Sequence, residues 1–346
     1  MSGPPALSGG LDRFRFAAAL LVVAIHTSPF SSLSPAVDRW FTHVLCRVAV
    51  PFFFMVTGYF LLSPPGSPPA GRRPLSHFYK KNLAIYGLAT LLYLPIQWYA
   101  GRQLPHSLLA WVRVLFFDGT YYHLWYFPAV FLGAWIAWQL QQRLPFSRAL
   151  LAASLLYLAG LLGDSYSALL PRLPLLDTLY QAGFQLFSYT RNGLFFAPLF
   201  LLLGARLHTH PLPGLARPGT VCLGLALLTG EGLLWPLLGT ARHDSMYLSL
   251  PLCMLALFPL LLRWQCPPSP LLRQASTLVY ILHPFCIVAL RGLAKLPWLT
   301  WAWPGNSLLR YALVCAASLA WAGLIQLFLH WKKARSIQKG SVPSDP

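Results

Sequence analysis

Arg15 and His26 are the residues of this chain whose types and spacing first suggest chemistry, because one is a permanent cation and the other exchanges protons near neutral pH. The stretch between them is wholly apolar. On a helix this eleven-residue step places both side chains on one face, about 16 Å apart along the axis. Asp12 shares that face. Such groups are costly within an apolar helix unless they face a protein interior or a watery cavity, so we predict a functional face, with a polar packing contact as the alternative.

Four further ionisable residues fall within or beside predicted apolar helices. Glu231 is the only acidic residue deep in such a segment, so we expect it to pair with an arginine or histidine or to be protonated, and a contact with substrate is as open as a structural pair. His283 precedes a proline, and a hydrogen-bonded core histidine is the alternative to a functional role there. Arg47 and Arg191 are predicted to line the same polar interior, or else to extend towards the interface.

An aromatic run surrounds one more histidine. His123 lies in the segment 121–126, which reads Tyr-Tyr-His-Leu-Trp-Tyr. Aromatic side chains are typical of the membrane–water interface, so we predict an anchoring belt at the outer surface. Stacking on a sugar is the second interpretation.

The composition determines the setting in which these residues act. Apolar residues make up 56% of the chain, charged residues make up 10%, and the mean hydropathy is +0.56. This predicts an all-α fold, a polytopic bundle of about ten transmembrane helices that forms a single domain over residues 1–335, with a short cytoplasmic tail at 336–346. The predicted spans centre near Leu21, Phe53, Leu91, Leu132, Leu156, Leu199, Leu227, Leu255, Leu282 and Leu319.

The charge distribution bears on topology and partners. The chain carries a net charge of +18, which in an apolar chain indicates basic loops that fix orientation and contact the lipid bilayer, so we expect no nucleic acid partner. More than half of the lysines and arginines fall in segments that share one side if the N-terminus is cytoplasmic, which predicts both termini inside. A basic cytoplasmic rim would also attract a polyanionic cofactor. The six cysteines have no paired spacing, so we expect neither disulfides nor a metal site.

Three segments resemble the acyltransferase-3 family of integral membrane acyltransferases. Residues 11–26 look like its first helix, whose signature is an arginine and a histidine at the spacing of Arg15 and His26. Residues 47–62, with Pro-Phe-Phe-Phe and Thr-Gly, are similar to its second helix, and the Tyr-Ile-Leu-His-Pro of residues 280–284 resembles a motif of a late helix. The resemblance covers residues 11 to about 330.

Within that family the chain is most similar to the membrane half of vancomycin-resistance-type serine/alanine racemases. The phrases that carry this likeness are residues 52–58, 191–196 and 242–247. Those proteins append a soluble pyridoxal-phosphate racemase domain after the last helix, whereas this sequence stops at Pro346, so we expect neither racemase activity nor pyridoxal phosphate (PLP). Many members also carry an Arg-x-x-Arg patch at the third helix, where this chain has Lys80 and Lys81.

The resemblance implies a reaction and a location. It implies transfer of an acetyl or similar acyl group from cytoplasmic acyl-CoA to an extracytoplasmic hydroxyl group of a cell-envelope glycan or small acceptor, in the bacterial cytoplasmic (inner) membrane. His26 is then the general base, and Arg15 binds phosphates of the donor. Asp12 either orients Arg15 or is a carboxylate that the helix dipole favours at the N-terminus. A transporter for serine or another small amino acid is the alternative, and a partner subunit without chemistry is a third.

Overall fold

The computed structural model describes residues 9–62, 72–102 and 105–340, and these ranges contain helices and no strands. The predicted all-α class is therefore confirmed. The sequence also predicts a proline-rich cytoplasmic linker at 63–74, most of which lies outside the described residues, as does the end of the predicted tail. The helices are α1 (Gly9–Thr27), α2 (Pro35–His43), α3 (Ala49–Leu61), α4 (Arg72–Tyr99), α5 (Leu108–Arg113), α6 (Tyr126–Arg143), α7 (Phe146–Leu162), α8 (Pro174–Gly183), α9 (Ala197–Thr209), α10 (Pro218–Leu234), α11 (Leu250–Arg263), α12 (Pro270–Leu293) and α13 (Ser307–Gly340).

Each of the ten predicted span centres lies within one of these helices. Three stretches are long and apolar enough to cross a membrane by length and composition, namely Pro35–Leu61, Pro270–Leu293 and Ser307–Lys332. The apolar helices α7, α10 and α11 are shorter than the usual spanning length. The number of spans and the side on which each terminus lies stay predictions.

Helix α1 runs through the centre of the bundle because small apolar residues cover two of its faces. Ala18 and Val22 pack into the main core formed with α3, α9 and α11. One residue further along, Ala19 and Val23 pack against α12 and α13. The face that carries Arg15 is left partly accessible between these two contacts. The single helix Gly9–Thr27 confirms that both predicted residues belong to one element.

Helices α3 and α9 approach each other closely through two glycines. A Cβ atom on Gly58 would overlap the carbonyl oxygen of Leu201, and one on Gly204 would overlap the carbonyl oxygen of Met55. Small residues at a crossing let helix backbones come together where lipid supplies no hydrophobic drive between helices. This crossing anchors the main core beside α1.

The bundle has two ends that differ in chemistry. Gly10 lies against Leu261 near the C-terminus of α11, whereas Asp244 lies in the loop before its N-terminus. We therefore refer to the Asp12 end and the Asp244 end. His26, at the C-terminus of α1, lies towards the Asp244 end. In the predicted orientation the Asp12 end is cytoplasmic.

Candidate active site

Three histidines from distant parts of the sequence meet inside the bundle. The ring of His26, in the last turn of α1, stacks on that of His283 in α12, with centroids 5.3 Å apart. His123, in the segment before α6, meets His283 edge to face at 5.4 Å. Tyr122 also contacts His26, at 4.8 Å. His123 and His283 are buried, with 1% and 0% of their surface exposed, whereas His26 is partly accessible. His26 is therefore the member of this trio with the most accessible surface.

The orientation of His283 follows from the proline beside it. Pro284 has no N–H, so the carbonyl oxygen of Tyr280, four residues earlier, loses its helical donor. The Nδ1 atom of His283 lies 2.9 Å from that oxygen and 3.1 Å from the oxygen of Val279. Carbonyl oxygens only accept hydrogen bonds, so Nδ1 carries the proton. The Nε2 atom of neutral His283 is then a lone-pair acceptor, and it is buried with no partner in the described part of the chain.

Tyr93 of α4 completes the repair of the same break. Its hydroxyl group donates to the carbonyl oxygen of Ile281 at 2.5 Å and accepts from the N–H of Phe285 at 3.2 Å. This hydroxyl therefore bridges two groups that an unbroken helix would join directly. The hydroxyl of Tyr280 donates to the carbonyl of His123, which ties the segment before α6 to α12. The histidine trio is thus held by two helices and a loop.

The trio offers one accessible imidazole backed by buried ones. His26 contacts the rings of His283 and Tyr122 and makes no ring hydrogen bond to another described residue. The lone pair of its unprotonated nitrogen is therefore available to a bound hydroxyl group, as a general base requires. Across the described ranges no three His, Cys, Asp or Glu side chains are arranged to hold a metal ion.

A second polar group lies at the Asp12 end. Asp12 is 2% exposed and accepts two hydrogen bonds from Arg273, Nε to Oδ1 and Nη2 to Oδ2, each 3.1 Å long. It also accepts from the N–H of Ser269 at 3.0 Å, which is the N-cap residue of α12. Arg15 is its third partner, with Nη1 3.4 Å from Oδ1. Asp12 thus positions both arginines and caps α12, so the predicted contact with Arg15 is one part of a larger arrangement.

Arg273 is the functional candidate at this end that we did not predict from the sequence. It lies 261 residues from Asp12, so no local spacing relates the two. The only signal was a basic residue in the first turn of a helix that begins at Ser269-Pro270. Arg13 adds a third cation nearby, donating to the carbonyl of Pro267 at 3.1 Å. Three arginines therefore lie near one buried carboxylate, so positive charge exceeds negative charge at this end.

Arg47 lies at the opposite end, in the single turn between α2 and α3. Its Nη2 atom is 2.6 Å from Oδ1 of Asp244, and Nδ1 of His43 is 2.6 Å from Oδ2. Burial opposes ionisation of Asp244, but the hydrogen bond from His43 and the charge of Arg47 outweigh it and hold the pKa of this carboxyl well below its usual range. Arg47 is therefore an ion-pair partner rather than a residue reaching towards the interface.

Arg191 lies between two aromatic rings in the irregular segment before α9. Its guanidinium is 4.6 Å from the ring centre of Trp125 and 4.8 Å from that of Tyr189, a cation–π arrangement. Tyr189 in turn contacts His243 at 4.8 Å. Burial, followed by the charges of Arg191 and Arg47, lowers the pKa of His243 to about 2, so this loop histidine is neutral. The charges of Arg191, before α9, and Arg47, between α2 and α3, thus both act on His243.

Glu231 does not have the partners that we expected. It lies in the last turn of α10 and accepts hydrogen bonds from the hydroxyl of Tyr166 at 2.7 Å and the N–H of Leu248 at 2.6 Å. The N–H and hydroxyl of Ser249 donate to its other oxygen at 2.8 and 2.5 Å. The donors are thus a phenol, a serine and backbone groups, and not an arginine or histidine. The carboxylate stabilises the N-terminus of α11, where the helix dipole favours negative charge.

The placement of His123 also differs from the predicted outer belt. Its side chain is buried against Tyr93, with ring centres 5.0 Å apart, while Tyr122 beside it is 37% exposed. His123 is thus enclosed by the bundle, whereas Tyr122, whose ring contacts His26, keeps part of its surface accessible. The aromatic run therefore contributes a member of the histidine trio as well as surface aromatics.

Comparison with known proteins identifies the family of this chain. A family model described as an acyltransferase domain matches residues 8–327. The chain belongs to the acyltransferase-3 family. This acyltransferase-3 chain is also 39% identical over 97% of its length to an amino-acid racemase of Enterococcus faecalis, and 38% identical over 96% to a serine/alanine racemase of Enterococcus gallinarum. It covers 48% of the length of each of these curated relatives. No solved structure matches it.

Proposed function

We propose that this chain is a membrane acyltransferase that moves an acetyl or similar acyl group from cytoplasmic acyl-CoA to a hydroxyl group of a cell-envelope glycan or small acceptor. The observation that carries the proposal is His26, an accessible imidazole without a ring hydrogen bond, on the same helix face as Arg15. The family supports the general reaction type. The donor, the acceptor and the location in a bacterial cytoplasmic membrane, with several spans and both termini inside, belong to the proposal.

The Asp12 end suits the phosphate groups of the donor. Arg15 and Arg273 share a single carboxylate, and Arg13 lies beside them. Guanidinium groups bind phosphate in bidentate fashion. The extended pantetheine arm of CoA would then carry the thioester along α1, over the roughly 16 Å that separate Arg15 from His26 on a helix. In this arrangement Asp12 is a positioning residue, and Arg15 and Arg273 are the binding residues.

His26 supplies the proton transfers. As the acceptor oxygen bonds to the thioester carbonyl carbon, its proton passes to the unprotonated nitrogen of His26. The carbon–sulfur bond breaks, the acyl group remains on the acceptor as an ester, and the CoA thiolate takes a proton from the imidazolium. His26 thereby returns to its starting state. The ring of His283 helps to hold the ring of His26 in place, since the two rings are stacked.

Import of serine or another small amino acid is the second candidate. One observation favours it: the matched relatives are named amino-acid racemases. A carrier, however, has no need for a general base on the helix face of Arg15, so the two candidates differ in their dependence on His26.

The test measures transfer of label from acetyl-CoA into envelope material by membranes that contain wild-type protein or His26→Ala at equal abundance. General-base loss lowers rates by about 10²- to 10⁴-fold, so we expect label in the wild type only. His330→Ala, at an exposed histidine of α13, is the matched control and should retain activity. Equal labelling by wild type and His26→Ala would overturn the assignment, and absence of label together with serine uptake that survives the substitution would favour the carrier.

A further inference from the structure

A cavity of about 610 Å³ opens at the Asp244 end, apart from the histidine trio. Its walls come from α2, the turn after it, the C-terminus of α10 and the loop before α11. The polar side chains that line it include Arg39, His43, Arg47, Arg242, His243 and Asp244. This volume is large enough for a small organic ligand.

The charges of this cavity do not cancel. Asp244 is its only acidic lining residue, and it is already engaged by Arg47 and His43. Arg39 and Arg242 take part in no ion pair within the ranges that the structure describes. Arg39 is exposed on α2, whereas Nε of Arg242 donates to the carbonyl oxygen of Ser188 at 3.0 Å and its guanidinium lies over the ring of Phe184. The free positive charge therefore favours an anionic ligand.

Two buried donors in the wall point to the same chemistry. Nε of Arg47 and Nε1 of Trp235 are buried and have no hydrogen-bond acceptor among the described residues, although both residues line the cavity. Buried donors are nearly always paired in folded proteins. A ligand rich in acceptor atoms would satisfy them, and a phosphate group offers more such oxygens, and more charge, than a carboxylate does.

We propose that this cavity is a phosphate-binding site, occupied either by a soluble phosphate ester or by the phosphate of a lipid headgroup. Arg39 and Arg242 would supply the uncompensated charge, and Trp40 and Trp235 would pack against the organic part of the ligand. The site is separate from the proposed acyl transfer, since none of the trio residues lines it.

Binding to the purified full chain in a phosphate-free detergent tests this proposal. If the site takes a soluble ester, calorimetry with glucose 1-phosphate should show saturable binding, and glucose, which lacks the phosphate, should not bind. Mixed micelles with phosphatidylglycerol, compared with diacylglycerol, distinguish a lipid headgroup from a soluble ester. Arg39→Gln loses a charge-assisted hydrogen bond to phosphate. It should therefore lower the affinity for whichever phosphate ligand binds by about tenfold.

Arg172→Gln provides the matched control, since Arg172 is exposed and does not line the cavity. It should bind as the wild type does, and His26→Ala should also retain binding, which separates this result from the fate of the acyltransferase proposal. Binding by neither phosphate ligand would overturn the proposal, and so would equal affinity of Arg39→Gln and wild type. Since Arg39 is exposed and unpaired in the described ranges, its replacement is compatible with folding.

Discussion

Replacing His283 should reveal how the break in α12 is repaired. In His283→Ala the carbonyl oxygen of Tyr280 keeps no donor, because Pro284 cannot supply one. An unsatisfied buried group of this kind costs about 1–3 kcal/mol. Loss of the fully buried ring adds a packing term, so the single variant alone cannot separate the two contributions.

A double-mutant cycle with Pro284→Ala isolates the hydrogen bond. In the His283→Ala background, the new N–H at position 284 restores the missing helical donor to Tyr280. In the wild-type background the same N–H is redundant, because Nδ1 of His283 already serves that oxygen. Pro284→Ala should therefore be more stabilising, or less destabilising, in the His283→Ala background by about 1–3 kcal/mol.

The assay is the free energy of unfolding in detergent, determined for wild type, both single variants and the double variant. Pro259→Ala in α11 is the matched control, since Pro259 lies in another helix and should show no coupling to His283→Ala. A coupling energy of zero between positions 283 and 284 would refute the proposed repair. The double variant should still be impaired in acyl transfer, because it lacks the imidazole that stacks on His26.

Three further predictions test the remaining features. Glu231→Gln should lower the free energy of unfolding by about 1–3 kcal/mol while activity per folded molecule is kept, and an activity loss without a stability loss would contradict the structural role. The pKa of Asp244 is depressed in the folded state, so its stabilisation is complete above the unfolded value, about 3.9, and is lost as acid lowers the pH towards the folded value. Asp244→Asn should therefore flatten the acid limb of an unfolding curve measured against pH, and an unchanged limb would contradict the ion pair. Gly204→Ala should destabilise the crossing of α3 and α9 by about 1–3 kcal/mol. Gly230→Ala is the control and should not destabilise the protein, because a Cβ there meets nothing within 4 Å. Equal unfolding midpoints for the two variants would show that α3 and α9 can move apart to accept the methyl group.

The features that were predicted correctly from the sequence depend on residues that are neighbours along the chain. The helix that joins Arg15 to His26 follows from a wholly apolar stretch, and the helix that contains His283 follows from an apolar run of spanning length. These are local properties, so one segment is enough to recognise them.

The features that were missed depend on pairs that are distant in sequence. Asp12 and Arg273 meet only when α1 and α12 pack side by side. Glu231 was interpreted as a charge in need of a charged partner, but its carboxylate is satisfied by backbone N–H groups at the start of α11. Backbone donors are present in every sequence, so residue types alone give no signal of them.

The packing of α1 against α12 also has a consequence for how the protein is made. Because α1 precedes α12 in the chain, Asp12 and His26 leave the ribosome long before Arg273 and His283 have been synthesised. Until then Arg15 is the one cationic partner available to this carboxylate among the ion pairs that the described residues form. A nascent chain interrupted before residue 270 thus lacks both Arg273, the second arginine proposed to bind phosphate, and the imidazole of His283 that stacks on His26. Under the proposed function, catalytic competence is therefore acquired late in biogenesis.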